Sequence, residues 1–304
     1  MRVFVTGATG FIGSAVVREL LSAGHEVVGL ARSDEGAASL TAAGAGVHRG
    51  SLTDPGSLSS GAAAADGVVH TAYIHDFSPT GDPVAAAQVD GRAIEALGEA
   101  LAGSGRPLVV ASGLVVVPGR LATEEDDAPE NQVHPRISEP VALRFADRGV
   151  RVSVVRLAPS VHGEGDYAFI PAVIGIARGK GLSAYVGDGS NRWAAVHRLD
   201  AAHLFRLALE EAPAGTRLHA VGDEGVPFRD IANVIGQHLN LPATGVSRDE
   251  AQAHFGPFAN FVAADMPASS ALTQKELGWH PVQPGLIADL DEGHYFTNQP
   301  TRHV

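Results

Sequence analysis

The chain of 304 residues predicts an α/β fold: a doubly wound parallel sheet with a smaller C-terminal substrate lobe. Three observations carry that expectation. Short β-branched runs recur at 2–6, 26–30, 67–71, 107–112 and 151–157. Stretches of helical period separate them, at Ile12–Leu20, 84–102 and 139–148. The runs are also predominantly apolar, as in strands covered on both faces.

Taken in order, residues 2–6 (RVFVT) form the first strand and Gly7–Gly13 a glycine-rich turn. Ile12, Ala15, Val16 and Leu20 then share one helix face, and Gly24 supplies the stop. Residues 26–30 close a βαβ unit. Beyond residue 160 the pattern loosens into short segments, with helices expected near 168–179, 200–211, 227–239 and 284–292. Asp200 reads as the N-cap of the second of these. Residues 1–160, with 198–222 returning to them, are expected as one domain, and 161–197 with 223–304 as the smaller lobe.

Composition narrows the function. Hydrophobic residues make up 45% and charged residues 18%, the profile of a folded chain. With 34 acidic against 22 basic residues, a net charge of −12, the chain gains nothing from displacing counterions on a nucleic-acid backbone. It has no cysteine, which excludes disulfides and thiol chemistry. No apolar run reaches the roughly 18 residues of a membrane span, and Met1–Arg2 leads directly into the first strand, so no secretory leader is expected. The expectation is a cytoplasmic protein acting on a small molecule, with no nucleic acid, no membrane and no metal. His75-Asp76 and His197/His203 do not have the spacing of a zinc or iron motif. The acidic run Thr123–Asn131 reads as a solvated loop.

The turn itself carries the sharpest signal. Thr6-Gly7-Ala8-Thr9-Gly10-Phe11-Ile12-Gly13 is a GxxGxxG run between a strand and a helix. Gly7 permits the tight turn, Gly10 lets backbone approach a pyrophosphate, and Gly13 lets the helix pack on the strand. The phosphates then face the free N–H groups of the helix start. This is the dinucleotide fingerprint of a Rossmann domain, and it assigns Thr9, Phe11 and Ile12 to the cofactor as well. After the second strand comes Ala31-Arg32-Ser33, with Asp34 one place later. An acid at the strand end would select a ribose 2′-hydroxyl, whereas Arg32 and Ser33 suit a 2′-phosphate. NADP(H) is therefore expected over NAD(H).

These residues together resemble the short-chain dehydrogenase/reductase superfamily in its extended form, related to sugar-nucleotide epimerases and dehydratases. TGATGFIG matches that form's glycine motif. Val69-His70-Thr71-Ala72 resembles its turn after strand four, which places Thr71 and Ala72 beside the cofactor. Ser51 and Leu52 fall where relatives contact adenine, with Ser51 replacing an aspartate. Arg156-Leu157-Ala158-Pro159 through Val161-His162-Gly163 resembles the segment flanking the nicotinamide, which implies contacts from Pro159, Val161 and His162. A homodimer through the helices at 84–102 and 139–148 is a further implication.

The resemblance breaks at the catalytic centre. The family's acid is a tyrosine with a lysine four positions later, but Tyr73, Tyr167, Tyr185 and Tyr295 are followed at that distance by Phe77, Pro171, Gly189 and Gln299. Aligning Ser138-Glu139 with the usual Ser-Lys puts Pro135 in the tyrosine slot and Glu139 in the lysine slot. An atypical subgroup is implied. Its candidate chemistry gathers at the carboxyl ends of the strands. Ser112 is expected to anchor a substrate oxygen. Tyr73, His134 or water would supply a proton, Tyr73 having no evident cationic neighbour. Arg136 would pair with Glu139 to hold the loop, or else polarise a carbonyl or clamp a carboxylate. The leading expectation is an NADP(H)-dependent oxidoreductase acting on a small carbonyl, hydroxyl or activated double-bond compound. The alternatives are a redox-neutral epimerase or dehydratase, and a non-catalytic NADP-binding regulator. The aromatics Tyr167, Phe169, Tyr185, Trp193, Phe255 and Phe258 are either pocket lining or core.

Overall fold

The computed structural model of the protein describes residues 1–75, 81–127 and 136–297. The elements run β1 (Arg2–Thr6), α1 (Phe11–Ser22), β2 (Glu26–Ala31), α2 (Asp34–Ala42), β3 (Gly46–Arg49), α3 (Pro55–Ala63), β4 (Gly67–His70), α4 (Pro83–Leu101), β5 (Pro107–Gly113), α5 (Ser138–Leu143) and β6 (Arg151–Leu157). Then follow β7 (Ser160–His162), α6 (Phe169–Lys180), β8 (Ser183–Val186), β9 (Arg192–His197), α7 (Arg198–Glu211), β10 (Thr216–Ala220) and β11 (Asp223–Pro227). The chain continues through α8 (Phe228–Leu239), β12 (Ala243–Val246), α9 (Arg248–Phe255), α10 (Ala259–Val262), α11 (Ala271–Leu277) and α12 (Leu286–Asp291).

Local chemistry explains many of the boundaries. Asp54 caps α3 by accepting from Ser57 N at 3.1 Å, and Pro55 follows it at the first helical position. Asp82 and Pro83 repeat that arrangement for α4. Ser247 and Glu250 form a reciprocal capping box on α9. Gly24, at φ +83°, turns the chain out of α1 toward β2. The expected helix at 139–148 is shorter: α5 ends at Leu143, and a 3₁₀ turn spans Ala146–Arg148.

Seven strands form one sheet in the order β10-β6-β5-β4-β1-β2-β3, and every pairing in it is parallel. This is the expected doubly wound Rossmann arrangement. The first strand shows how two layers cover it. Val3 and Val5 enter the core that α1 and α7 share, while Phe4 turns the other way into the core of α3, α4 and α5. Strand order reverses between β1 and β4, so the carboxyl ends there open a crevice. A third apolar cluster surrounds Trp193 and Phe228 and belongs to β9, α6, α8 and α12. Small sheets β11-β9-β7 and β12-β8 frame it. No helix among the described residues is long and apolar enough to cross a membrane.

Asp200 is not the cap of α7. That helix starts at Arg198, with His197 as N-cap accepting from Leu199 N. The Asp200 carboxylate instead accepts from Val282 N and Gln283 N, both at 3.0 Å, and its carbonyl accepts from Trp279 Nε1. It ties the C-terminal segment to α7, which is a structural role by another route.

Two glycines give a paired test. A Cβ at Gly13 would lie 2.0 Å from Gly7 O, a backbone atom with no room to move. One at Gly175, inside α6, would meet nothing within 4 Å. Urea denaturation should show Gly13→Ala destabilised by about 1–3 kcal/mol from overpacking. Gly175→Ala should be stabilised by about 0.5–1 kcal/mol. Equal effects of the two substitutions would contradict this packing.

Candidate active site

The first part of the site is a cradle made of backbone. Gly7 takes φ +68°, and a side chain there would strike Ala72 N at 2.6 Å. At Gly13 it would also strike Thr71 Oγ1 at 2.8 Å. The turn after β4 therefore rests directly on the glycine turn, and Thr71 Oγ1 donates to Thr6 O at 2.8 Å to hold it. The first helical bond of α1 runs from Ser14 N to Gly10 O, and no side chain caps the helix. The N–H groups of Phe11, Ile12 and Gly13 thus have no helical acceptor. Such a start suits a pyrophosphate, and the space at Gly10 is open apart from Gly7 O, 3.2 Å from a Cβ built there.

The ribose end lies at the start of α2. Ser33 Oγ caps this helix by accepting from Gly36 N at 3.1 Å. A Cβ at Gly36 would lie 3.6 Å from Thr9 Cγ2, so Thr9 and Ser33 border one spot. Asp34 forms an ion pair with Arg49. Arg32 is exposed and has no hydrogen bond or ion pair among the described residues. Ser51 shares a 3.0 Å hydrogen bond with Thr53, and Leu52 packs against the core under β2.

The carboxyl ends of β4 and β5 bring the next residues together. The two strands pair with His70 opposite Val110, so Tyr73 and Ser112 both follow that register point closely. The Arg136 guanidinium lies 4.2 Å from the centroid of the Tyr73 ring. The expectation that Tyr73 lacks a cationic neighbour is therefore corrected. His75 lies on the ring as well, with centroids 4.9 Å apart. Burial pushes the Tyr73 phenol above its usual range, and Arg136 opposes this only in part. Burial, then Arg136, depresses His75 to about 4 and keeps its imidazole neutral near pH 7. Ser112 is 5% exposed, and its hydroxyl has no partner among the described residues. His134 lies outside the described residues.

Glu139, in the lysine slot, points elsewhere. Arg156 Nε and Nη2 donate to its two oxygens at 2.7 and 2.6 Å, and Arg217 Nε lies 2.8 Å away. An Arg136–Glu139 ion pair is thus replaced by a buried pair to the sheet, with Arg136 left to Tyr73. Behind it, buried His70 joins Thr6 Oγ1 at 2.7 Å and Asp90 Oδ1 at 3.0 Å, and Ser138 Oγ donates to Asp90 Oδ2 at 2.6 Å. The described part of the acidic run is not simply solvated. Glu124 is buried and accepts from Thr273 N and Oγ1, Asp126 pairs with Arg120, and Asp127 with Arg217.

The segment from β7 to α6 closes the other side. Pro159 and Val161 are half-buried, but His162 is fully enclosed, its Nδ1 2.8 Å from Asp289 Oδ2. Tyr295 OH accepts from Gly163 N and donates to Asp166, both at 3.1 Å. Burial, offset in part by hydrogen bonds, raises the Asp166 carboxyl to about 6. Asp289, Glu292 and His294 have donor atoms within 4.8 Å of one another, but Asp289 is already engaged by His162. Of the aromatics, Trp193 and Phe255 are core, Phe169 stacks on Phe261 at 4.1 Å, and Tyr167 is exposed beside Phe11.

With this geometry in place, the chain belongs to the NAD dependent epimerase/dehydratase family, which it matches over residues 3–221. It is 50% identical to the Schizosaccharomyces pombe protein called Uncharacterized protein C2A9.02, over 97% of this chain and 100% of that one. It is 28% identical to the 2-alkyl-3-oxoalkanoate reductase of Stenotrophomonas maltophilia, over 99% of this chain and 93% of the relative. Among solved structures, the Streptomyces venezuelae dTDP-glucose 4,6-dehydratase DesIV, with NAD and TYD bound, matches with a TM-score of 0.77. That match covers 97% of this chain and 96% of the other at 20% identity, a likeness of fold.

Asp166 makes the stability of the protein depend on pH in a defined sense. Folded Asp166 keeps its proton up to about pH 6, whereas the unfolded carboxyl releases it near 3.8. Its contribution is therefore full below the lower value and is lost as pH rises through about 6. Asp166→Asn, which preserves the acceptor for Ala168 N, should be more stable than the parent at pH 8, by on the order of 2 kcal/mol, and should match it near pH 4. Equal denaturation midpoints for the two proteins at pH 8 would refute the shift.

Proposed function

We propose that this protein is an NADP(H)-dependent reductase of small carbonyl or activated double-bond compounds, in an atypical subgroup that has replaced the tyrosine–lysine pair. The observation that carries this reading is the Tyr73–Arg136–His75 cluster at the end of β4. The nicotinamide, when bound, supplies the hydride. Gly7, Gly10, Gly13 and the N–H groups of Phe11 and Ile12 would hold the pyrophosphate, with Thr71, Ala72, Pro159 and Val161 bordering the nicotinamide side. Arg32, Ser33 and Thr9 would take the 2′-phosphate. This choice is supported by Asp34, the acid that could have selected a free ribose, being paired to Arg49.

Ser112 would donate to the substrate oxygen, since its hydroxyl has no partner among the described residues. Tyr73 would then give the proton. Burial keeps this phenol protonated, so it has a proton to give, but it also makes it a weaker acid than a free tyrosine, so the transfer depends on its neighbours. Arg136 covers the ring where the usual lysine would act, and stabilises the phenolate left after transfer. Residues 161–197 and 223–304 would form the substrate lobe. The reductase name of the Stenotrophomonas maltophilia relative agrees with this direction of reaction. An acidic chain without cysteine suits the cytoplasm.

NADPH oxidation against aldehydes, ketones and enones should reveal a turned-over substrate, with NADH slower. Ser112→Ala and Tyr73→Phe should each lower kcat/KM by about 10²-fold or more. Full activity in Tyr73→Phe would remove it as proton donor. No turnover of any compound by protein with NADPH bound would overturn the reductase reading.

A further inference from the structure

Arg198 opens α7, the helix that leaves β9 and packs alongside α1. Its half-buried guanidinium has no hydrogen bond or ion pair among the described residues. An arginine drawn out of water normally finds a carboxylate. This one instead lies 5.0 Å from the centroid of the Phe11 ring. Phe11 is the first residue of α1, so the cation rests on the side chain whose own N–H belongs to the uncapped helix start. Tyr167 meets the same ring edge-on at 6.1 Å.

Charges of both signs surround that cation, but none of them forms an ion pair with it. Arg18, one heptad beyond Phe11 on α1, repels it. Glu164 is exposed, and Asp166 is engaged by Ala168 N and by Tyr295, whose hydroxyl also faces this region. The turn between them brings Gly165 close: a Cβ there would lie 3.7 Å from Arg198 Nη1. The backbone at Gly163 and Gly165, with φ +130° and +84°, thus crosses over the arginine side chain.

We propose that Arg198 is a clamp on the pyrophosphate of the dinucleotide. It would close over phosphates held from below by the N–H groups of Phe11, Ile12 and Gly13, and so link cofactor binding to the β7–α6 turn. The inference rests on the dinucleotide reading above. It assigns a binding role to a residue outside the glycine fingerprint. Stacking on Phe11 keeps the guanidinium placed while no anion is present, and two phosphate oxygens would then accept from its fork.

The test is titration of Arg198→Met and Arg198→Lys with NADPH, followed by cofactor fluorescence, alongside adenosine 2′-monophosphate as a competitor lacking the pyrophosphate. Arg198→Met should weaken NADPH by about tenfold or more, the size of one charge-assisted bond. Arg198→Lys should recover part of the loss. Affinity for adenosine 2′-monophosphate and the ligand-free Tm should stay unchanged. NADPH binding by Arg198→Met as tight as the parent's, or an equal loss for both ligands, would overturn the clamp alone. A parent protein that binds neither NADPH nor NADH would sink the dinucleotide reading and the clamp with it.

Discussion

The architecture of the site depends on how closely α1 approaches the sheet. A Cβ at Gly13 would lie 2.0 Å from Gly7 O, and one at Gly7 would lie 2.6 Å from Ala72 N. Three backbone segments therefore meet with no side chain between them. That contact aims the open N–H groups of α1 into the crevice where strand order reverses, and it seats the turn after β4 beside them. Tyr73 and His75 follow directly from that turn. Their position relative to a bound dinucleotide is thus set by glycine geometry, with Thr71 donating to Thr6 O as a further tie.

A second constraint explains what became of the lysine slot. Glu139 is drawn into the sheet by Arg156 and Arg217, from β6 and β10. Removing one partner of such a buried pair costs about 3–5 kcal/mol, because the other charge is stranded. The pair therefore fixes the start of α5, and with it Arg136 and the Ser138 hydroxyl bound to Asp90. In the proposed reductase, the part that a lysine plays elsewhere in the family falls to the Arg136 guanidinium, one residue past Pro135 in the sequence and seated on the Tyr73 ring.

The parts of the fold that rest on local chemistry were legible in the sequence. Gly24 ends α1, and the GxxGxxG run gives the cradle, because each needs only its neighbours in the chain. The long-range partners were not legible. Glu139 finds Arg156 17 positions away, and Asp200 binds Val282 N 82 positions away, so a helix-capping pattern at Asp200 pointed to the wrong contact. Glu124 sits in an acidic run that reads as solvent-facing until α11 covers it. Arg198 lay next to residues read as structural, and only Phe11, brought to it by the packing of α7 on α1, marks it out.

The most direct measurement is the fate of deuterium carried at both C4 positions of NADPH. In an incubation with a substrate that the protein turns over, the account predicts that the label appears on the reduced carbon of the product, one deuterium for each cofactor oxidised. Product that forms without label and without net loss of NADPH would contradict it, and would identify redox-neutral chemistry in which the cofactor is regenerated in every cycle.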